Sequence, residues 1–484
     1  MRRILLLAAA FLAFEAFAQT PLQRYLDGLD ADGPLKGAVW GFEARTPGGE
    51  ILVSHHAQQR MVPASNLKLI TTGAALHAFG GEYRFSTQLG YSGSIRPDGT
   101  LEGDLYIVGG GDPTIGARDS IALASDALFW KWKCILKEKG ISRIQGRIIG
   151  DGRAWEGMLE HPSWSYDDTG TYYGTGSNAL CFYQNSIDLD VQATAPGQPV
   201  QAVQTYPETP WMHCSNYSVT GPAGSGNSLY LYTTDLAPYA ELRGSFATDR
   251  RPKTEHFANK FGALTCAYYF WKNLRATGWE VTGGYAQIDR GGRICGDDFI
   301  PGEAAAAPQL LGATQSPSLA QIVRTTNVRS DNFYAEALYR AMGEAATGIA
   351  VYDSCRVAVR DVLLDLGLDP DALRQEDGSG LSRVNQLSPS FMASFLQRMT
   401  LSPAFPAFLA SLPHPGEGTL ANLQLQGARR VCLKSGSMGG VLCYSGYILD
   451  AEGRPETVLS FMSNGGLAQA AQIRAVFAQI LLYL

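Results

Sequence analysis

Helical periodicity is confined to the two ends of this chain, and that distribution restricts its fold more than any other feature of the sequence. Near the start, Ala38 to Ala44 and Ile51 to His55 are apolar runs on either side of Thr46-Pro47-Gly48-Gly49, the signature of a β-hairpin. Leu67, Ile70, Ala74, Ala75 and Leu76 then recur at helical spacing behind Pro63, and Gly80-Gly81 ends the pattern. From about residue 87 to 300 the chain reads as short runs of Tyr, Val, Ile and Thr broken by Gly, Pro, Asn and Asp. Leu105 to Val108, Ile144 to Gly150 and Leu229 to Thr233 are examples, and few long helices are expected there. After residues 301–308, helical spacing returns in Leu319 to Thr326, Phe333 to Met342 and Val357 to Leu366. Strand-like runs follow at Val431 to Lys434, Val441 to Leu449 and Val458 to Met462, and Ala468 to Leu484 closes the chain as a helix. The simplest arrangement is one α/β domain built from both chain ends, with a β-rich insertion between them.

The 484 residues correspond to about three domains of ordinary size. With 45% apolar and 17% charged residues, the chain can bury a large core, which excludes wholesale disorder. A formal charge of −6 without a basic stripe argues against nucleic acid as a partner. Arg2 and Arg3, an apolar run from Ile4 to Phe14 and the small residues Ala16 and Ala18 compose a signal peptide over residues 1–18. That run is too short to span a bilayer, and no later stretch is long enough. The mature chain is therefore expected in the periplasm, with at most peripheral membrane contact. Cysteines at 134, 181, 214, 266, 295, 355, 432 and 443 form no CxxC pair and no Cys/His cluster at zinc spacing, so no metal is expected, and their pairing is left open.

Three short polar motifs can carry chemistry. In Ser65-Asn66-Leu67-Lys68 the serine and lysine stand three residues apart, on one helix face, so the amine can reach the hydroxyl. A serine needs a base to become a nucleophile, and a lysine can serve once burial or a second cation lowers its pKa. Ser330-Asp331-Asn332 lies between two helical patterns, where a loop can aim a hydroxyl and an amide into a cleft. Lys434-Ser435-Gly436-Ser437 ends a strand, where a lysine and hydroxyls can bind a carboxylate while the glycine lets an extended peptide lie close. Singly, each motif also fits a helix cap or a hairpin turn.

Together and in this order they are the set S-x-x-K, S-D-N and K-[ST]-G shared by serine β-lactamases and penicillin-binding proteins. The separation of 262 positions from Lys68 to Ser330 is too long for a plain β-lactamase. The chain resembles the class C low-molecular-weight penicillin-binding proteins, the D-alanyl-D-alanine carboxypeptidase/endopeptidase family. Gly103-Asp104-Leu105-Tyr106, residues 109–114, Asp377-Gly378-Ser379-Gly380-Leu381-Ser382-Arg383 and Ser445-Gly446-Tyr447 support the resemblance. It implies an antiparallel sheet flanked by helices, formed by residues 19–86 and 305–484, with β-rich inserted domains over 87–304 and an inner one at about 186–265.

The same resemblance implies a serine D-Ala-D-Ala carboxypeptidase, with DD-endopeptidase activity on the same serine, that acts on peptidoglycan stem peptides and is inhibited by β-lactams without any cofactor. Ser65 is then the nucleophile, Lys68 the base, and Lys434 the cation that helps keep Lys68 deprotonated. Ser330 relays the proton to the leaving amine, and Asn332 holds the substrate amide. Lys434, Ser435 and Ser437 bind the terminal carboxylate beside Gly436, and the N–H groups of Ser65 and Ser437 form an oxyanion hole. Asp168 and Arg383, with Tyr173 beside them, correspond to residues that read the diaminopimelate-type side chain; Gly439 stands where some relatives carry a polar side chain. A serine β-lactamase and a non-catalytic wall-binding protein are the competing readings. The first lacks a glutamate over 360–366 to activate a deacylating water, and the second would have lost a motif residue.

Overall fold

The computed structural model describes residues 20–484 other than 32, 290 and 426–429. The expected signal peptide lies outside the described residues. Both chain ends meet in one five-stranded sheet. Its strands are β1 (Val39–Arg45), β2 (Ile51–His55), β3 (Arg430–Met438), β4 (Val441–Leu449) and β5 (Pro455–Asn464), in the order β2-β1-β5-β4-β3. Every pairing is antiparallel, with Phe42 opposite Phe461, Tyr444 opposite Phe461 and Lys434 opposite Ser445. The expected N-terminal hairpin thus docks against the last strand of the chain.

The inner strand β4 is buried almost throughout, because both faces of the sheet are covered. Its residues alternate between two cores, as the two-residue period of a strand requires. Leu442, Tyr444 and Ile448 face helices α1 (Pro21–Ala31) and α7 (Ala470–Tyr483), among Leu26, Phe477 and Ile480. The Tyr444 and Phe477 rings stack with centroids 4.5 Å apart. Cys443 and Tyr447 face the opposite layer, which holds α2 (Lys68–Phe79), α3 (Leu319–Arg329), α4 (Asn332–Thr347), α5 (Tyr352–Asp365) and α6 (Pro389–Met399). Residues 68–76 of α2 are all buried, as befits a helix that is apolar on every side and runs through the layer. It stops at Gly80, whose φ of 77° suits glycine.

The middle of the chain builds further sheets. Strands Ser86–Tyr91 and Gln309–Gln315 pair with each other, so the chain leaves and re-enters the α/β part side by side. They belong to a seven-stranded sheet, whose core packs against helices Ser125–Glu138 and Gly262–Ala276. These two are the long helices of a middle otherwise made of short strands, in line with the few long helices expected there. In the first of them Leu128, Phe129, Trp132 and Leu136 form the buried stripe, a helical spacing masked by flanking strand-like runs. The single run Ile144 to Gly150 is in fact two short strands, Arg143–Ile144 and Ile148–Asp151. Gly146 lies between them, where a Cβ would come within 2.2 Å of the Gly103 carbonyl oxygen.

Candidate active site

Residues Ala64–Leu67 form a 3-10 turn that runs straight into α2, which brings Ser65 and Lys68 to one side. The Lys68 amine lies 3.0 Å from Ser65 Oγ, 2.6 Å from Asn332 Oδ1 and 2.7 Å from the Ser379 carbonyl oxygen. Three acceptors match the three donors of an ammonium. On losing a proton the nitrogen keeps two donors and turns its lone pair to a hydroxyl that can donate. Full burial lowers the Lys68 pKa to about 8, against the attraction of Asp377, Glu336 and Asp331.

The second motif is shaped by its backbone. Ser330 ends α3 in the left-handed conformation, φ 59°, and Asp331 caps α4 by accepting the Tyr334 N–H. The reversal between the two helices presents Ser330 and Asn332 to Lys68 and Lys434. Gln184, from the inserted part, donates to Asp331 at 2.7 Å and props the loop from behind. Lys434 donates to Ser330 Oγ at 2.9 Å and to the Ser435 carbonyl at 2.6 Å. It is fully buried, and burial first, then repulsion from Lys68, hold its pKa well below that of an ordinary lysine. Burial, rather than Lys434, is thus the first cause of the Lys68 shift; repulsion between the amines weighs on Lys434, which no carboxylate among the described residues offsets.

Asn332 was expected to face substrate, yet both ends of its amide are engaged. Its oxygen accepts from Lys68, and its nitrogen donates to the Tyr173 carbonyl at 3.0 Å. In this state it positions the base.

The third motif lies on β3, an edge of the five-stranded sheet, so one side of its backbone is unpaired within that sheet. Gly436 serves a closer approach than the one expected. A Cβ there would meet Pro63 O at 2.5 Å, Asn66 N at 2.7 Å and Ser65 N at 3.1 Å, so glycine is what allows the strand to lie on the nucleophile's turn. Ser437 is exposed, and the Ser435 hydroxyl donates to Thr419 Oγ1 at 2.8 Å.

The outlying residues border the same cleft. Tyr173 donates to Asp168 at 3.2 Å, and the Tyr173 carbonyl is the one that holds Asn332. Exposed Arg383 reaches the Gly439 carbonyl at 3.3 Å, just past the third motif. Desolvation raises the Asp168 pKa, and Arg383 acts from the other side to lower it.

Two buried carboxyls behind Lys68, Glu336 and Asp377, were assigned no role by the sequence reading. Glu336 accepts the Ser379 N–H at 2.7 Å, and burial and then Asp377 push its pKa up to about 8. Asp377 accepts from Gly380 N, Ser382 N, Asn385 Nδ2 and Trp164 Nε1 at 2.6–2.9 Å, which holds the 377–383 loop so that the Ser379 carbonyl meets Lys68. Glu336 stands four residues after Asn332, one turn along the same helix face, and that spacing was the available signal. A 460 Å³ cavity elsewhere, lined by Arg60, Arg356, Arg360 and Arg374, holds none of the motif residues, and its arginines are tied to Asp371 and Glu376.

Comparison with known proteins agrees with this geometry. The D-Ala-D-Ala carboxypeptidase 3 (S13) family matches residues 22–482. A D-alanyl-D-alanine carboxypeptidase of Actinomadura sp. (strain R39) is 30% identical over 92% of this chain and 81% of the relative. D-alanyl-D-alanine carboxypeptidase DacB of Haemophilus influenzae is 24% identical over 89% of this chain and 86% of its own. The crystal structure of penicillin binding protein 4 from Haemophilus influenzae superposes with a TM-score of 0.79 at 22% identity, covering 95% of this chain and 99% of that one.

Proposed function

The chain belongs to the D-Ala-D-Ala carboxypeptidase 3 (S13) family, and from that premise we propose that Ser65 is the nucleophile of this serine DD-carboxypeptidase and Lys68 its base. Ser65 Oγ attacks the carbonyl carbon of the penultimate D-alanine while its proton passes to neutral Lys68. The N–H groups of Ser65 and Ser437 receive the oxyanion. Collapse of the tetrahedral intermediate breaks the C–N bond, and the leaving nitrogen takes a proton through Ser330. Lys434, bonded to Ser330 at 2.9 Å, completes that route. D-alanine leaves with that protonation; water then attacks the acyl-serine, which returns the Ser65 hydroxyl and releases the shortened peptide.

The terminal carboxylate of the substrate sits by Lys434, Ser435 and Ser437. A carboxylate arriving there supplies a counter-charge that favours the ammonium form of Lys434. A cross-linked peptide enters the same cleft, so endopeptidase cleavage uses the same serine. Asp168 and Arg383, opposite in charge and on either side of the motifs, suit a stem-peptide side chain that bears both an amine and a carboxylate. β-Lactams acylate Ser65 as substrate mimics, in keeping with the Haemophilus influenzae penicillin binding protein 4 structure complexed with a β-lactam.

Residues 19–86 and 305–484 form the catalytic unit in this proposal, and 87–304 the inserted one. The sheet of strands Ser186–Gln192, Gln201–Tyr206 and Lys253–Ala258, with a small core of its own, supports an inner division at about 186–265. Among the described residues no helix is long and apolar enough to cross a membrane, and we place the enzyme in the periplasm, exported by the 1–18 leader.

The observation that carries the catalytic proposal is the Lys68 amine, buried and 3.0 Å from the Ser65 hydroxyl. Intact-protein and peptide mass spectrometry after exposure to penicillin tests it. The penicilloyl adduct is expected on the peptide that contains Ser65 and is absent from Ser65→Ala; an adduct on another residue rejects the assignment.

A further inference from the structure

No Cys/His cluster at zinc spacing exists in the sequence, but the fold assembles a ligand set that has no such spacing. We propose that Asp30, His55 and His56 form a three-ligand site for a divalent transition-metal ion of the zinc type, which fastens helix α1 to the edge of the main sheet. Their ligand atoms all lie within 4.8 Å of one another. His55 Nε2 stands 3.0 Å from Asp30 Oδ2, and His56 Nε2 stands 3.8 Å from the same oxygen. Tetrahedral zinc with bonds of about 2.0–2.2 Å needs donor separations of about 3.3–3.6 Å, which those distances bracket.

The surroundings orient each donor. The Trp40 indole N–H donates to Asp30 Oδ1 at 2.9 Å, leaving Oδ2 to face the two imidazoles. On the far side of His55, Nδ1 faces Asp27 Oδ1 at 3.4 Å, the arrangement by which a carboxylate holds a ligating imidazole in one tautomer. Without a metal the His55 Nε2–Asp30 Oδ2 contact is a hydrogen bond, with Gln23 Nε2 3.5 Å from Nδ1; a bound cation takes the Nε2 lone pair and leaves the imidazole proton on Nδ1, beside Asp27. The His55 ring is further fixed by stacking on Trp40, centroids 4.5 Å apart.

His56 is brought in by its backbone. It adopts φ 46°, a left-handed conformation uncommon outside glycine, at the end of β2. Gly41 on β1 makes room for it, since a Cβ there would lie 2.6 Å from the His56 carbonyl oxygen. His55 at the end of β2, His56 just after it and one aspartate near the end of α1 would then be bound as a unit, on the sheet edge opposite strand β3. Three protein donors and a solvent-facing fourth position leave room for one water, with His56 and Asp30 part exposed for entry.

The full-length enzyme is stripped with chelator and titrated with zinc chloride by calorimetry, with metal content read by mass spectrometry. One equivalent per chain is expected, with a zinc-dependent rise in melting temperature. His56→Ala and Asp30→Asn should each weaken zinc binding at least tenfold. Asp27→Asn, which touches no metal, should weaken it about tenfold through His55. His56 is half exposed, so its variant is expected to melt like the zinc-free wild type, which separates lost binding from lost folding. Zinc binding that is absent from the wild type, or equally tight in His56→Ala, overturns the proposal.

Discussion

In the proposed mechanism the state of the Lys68 amine sets how fast the enzyme is acylated, and pH is the perturbation that reads it directly. Burial brings its pKa from 10.5 to about 8. At pH 7 an ordinary lysine is neutral in about 0.03% of molecules, whereas one at pKa 8 is neutral in about 9%. The site therefore holds about 300 times more base, equivalent to about 3 kcal/mol. Because the neutral form does the work, acylation should rise about tenfold per pH unit between 5.5 and 7 and level off above 8. The same shift has a sign in stability. The folded pKa lies below the unfolded one, so the full cost is present below pH 8 and is relieved as pH climbs from 8 to 10.5. The assay is the stopped-flow rate of acylation by a fluorescent penicillin from pH 5.5 to 9.5, with melting curves to confirm that the protein stays folded. Lys68→Arg, which cannot supply a neutral base, should lose about 10²–10⁴-fold at every pH. A flat profile between pH 6 and 9, or a wild-type rate in Lys68→Arg, would refute the reasoning.

Gly436→Ala should lower acylation at least tenfold and destabilise the fold by about 1–3 kcal/mol, because its Cβ collides with backbone atoms of residues 63–66 that cannot swing away; acylation kinetics and a denaturant titration check both, and a neutral result sinks the close-approach argument. Glu336→Gln should stay folded and flatten the pH dependence of stability. The raised folded pKa makes the wild type lose stability as pH climbs from about 4.5 to about 8, and the amide removes that slope; melting temperatures across the window decide it, and an unchanged slope argues against a buried neutral carboxyl. Asp168→Ala should raise KM for diaminopimelyl peptides more than for simple D-Ala-D-Ala peptides, measured by D-alanine release; equal changes reject its role in side-chain reading.

The parts of the site that were legible in the sequence are those set by local geometry. Ser65 and Lys68 are related by one helical turn, and the 3-10 turn that runs into α2 delivers that relation at 3.0 Å. The edge-strand lysine and its glycine followed from a strand ending in small residues, although the glycine proved to admit the turn of residues 63–66 as its near neighbour. What was not legible is anything whose meaning depends on which face of a helix is covered. Asn332, Glu336 and Arg340 recur every four residues along α4, and such a polar stripe ordinarily reads as the solvent side of a helix. Here Glu336 and Arg340 are each 1% exposed.

That stripe is buried because the inserted part of the chain lies along α4. Arg340 donates to the carbonyls of Glu156 and Met158 at 2.8 Å each, Asn332 donates to that of Tyr173, and Gln184 holds Asp331 at the helix start. Each partner is a backbone carbonyl or a single side chain, so no pattern of residue types announces it, and only the course of the chain does. The consequence for the chemistry is specific. Asn332 is held in place on one side by Tyr173 and on the other by Lys68, so the inserted segment helps fix where the base points. A low pKa at Lys68 needs that enclosure as much as it needs the residues of the motif, because the shift comes from burial before any charge. In the proposed mechanism the sheet positions Ser65 as nucleophile, and the inserted residues help keep Lys68, its base, buried.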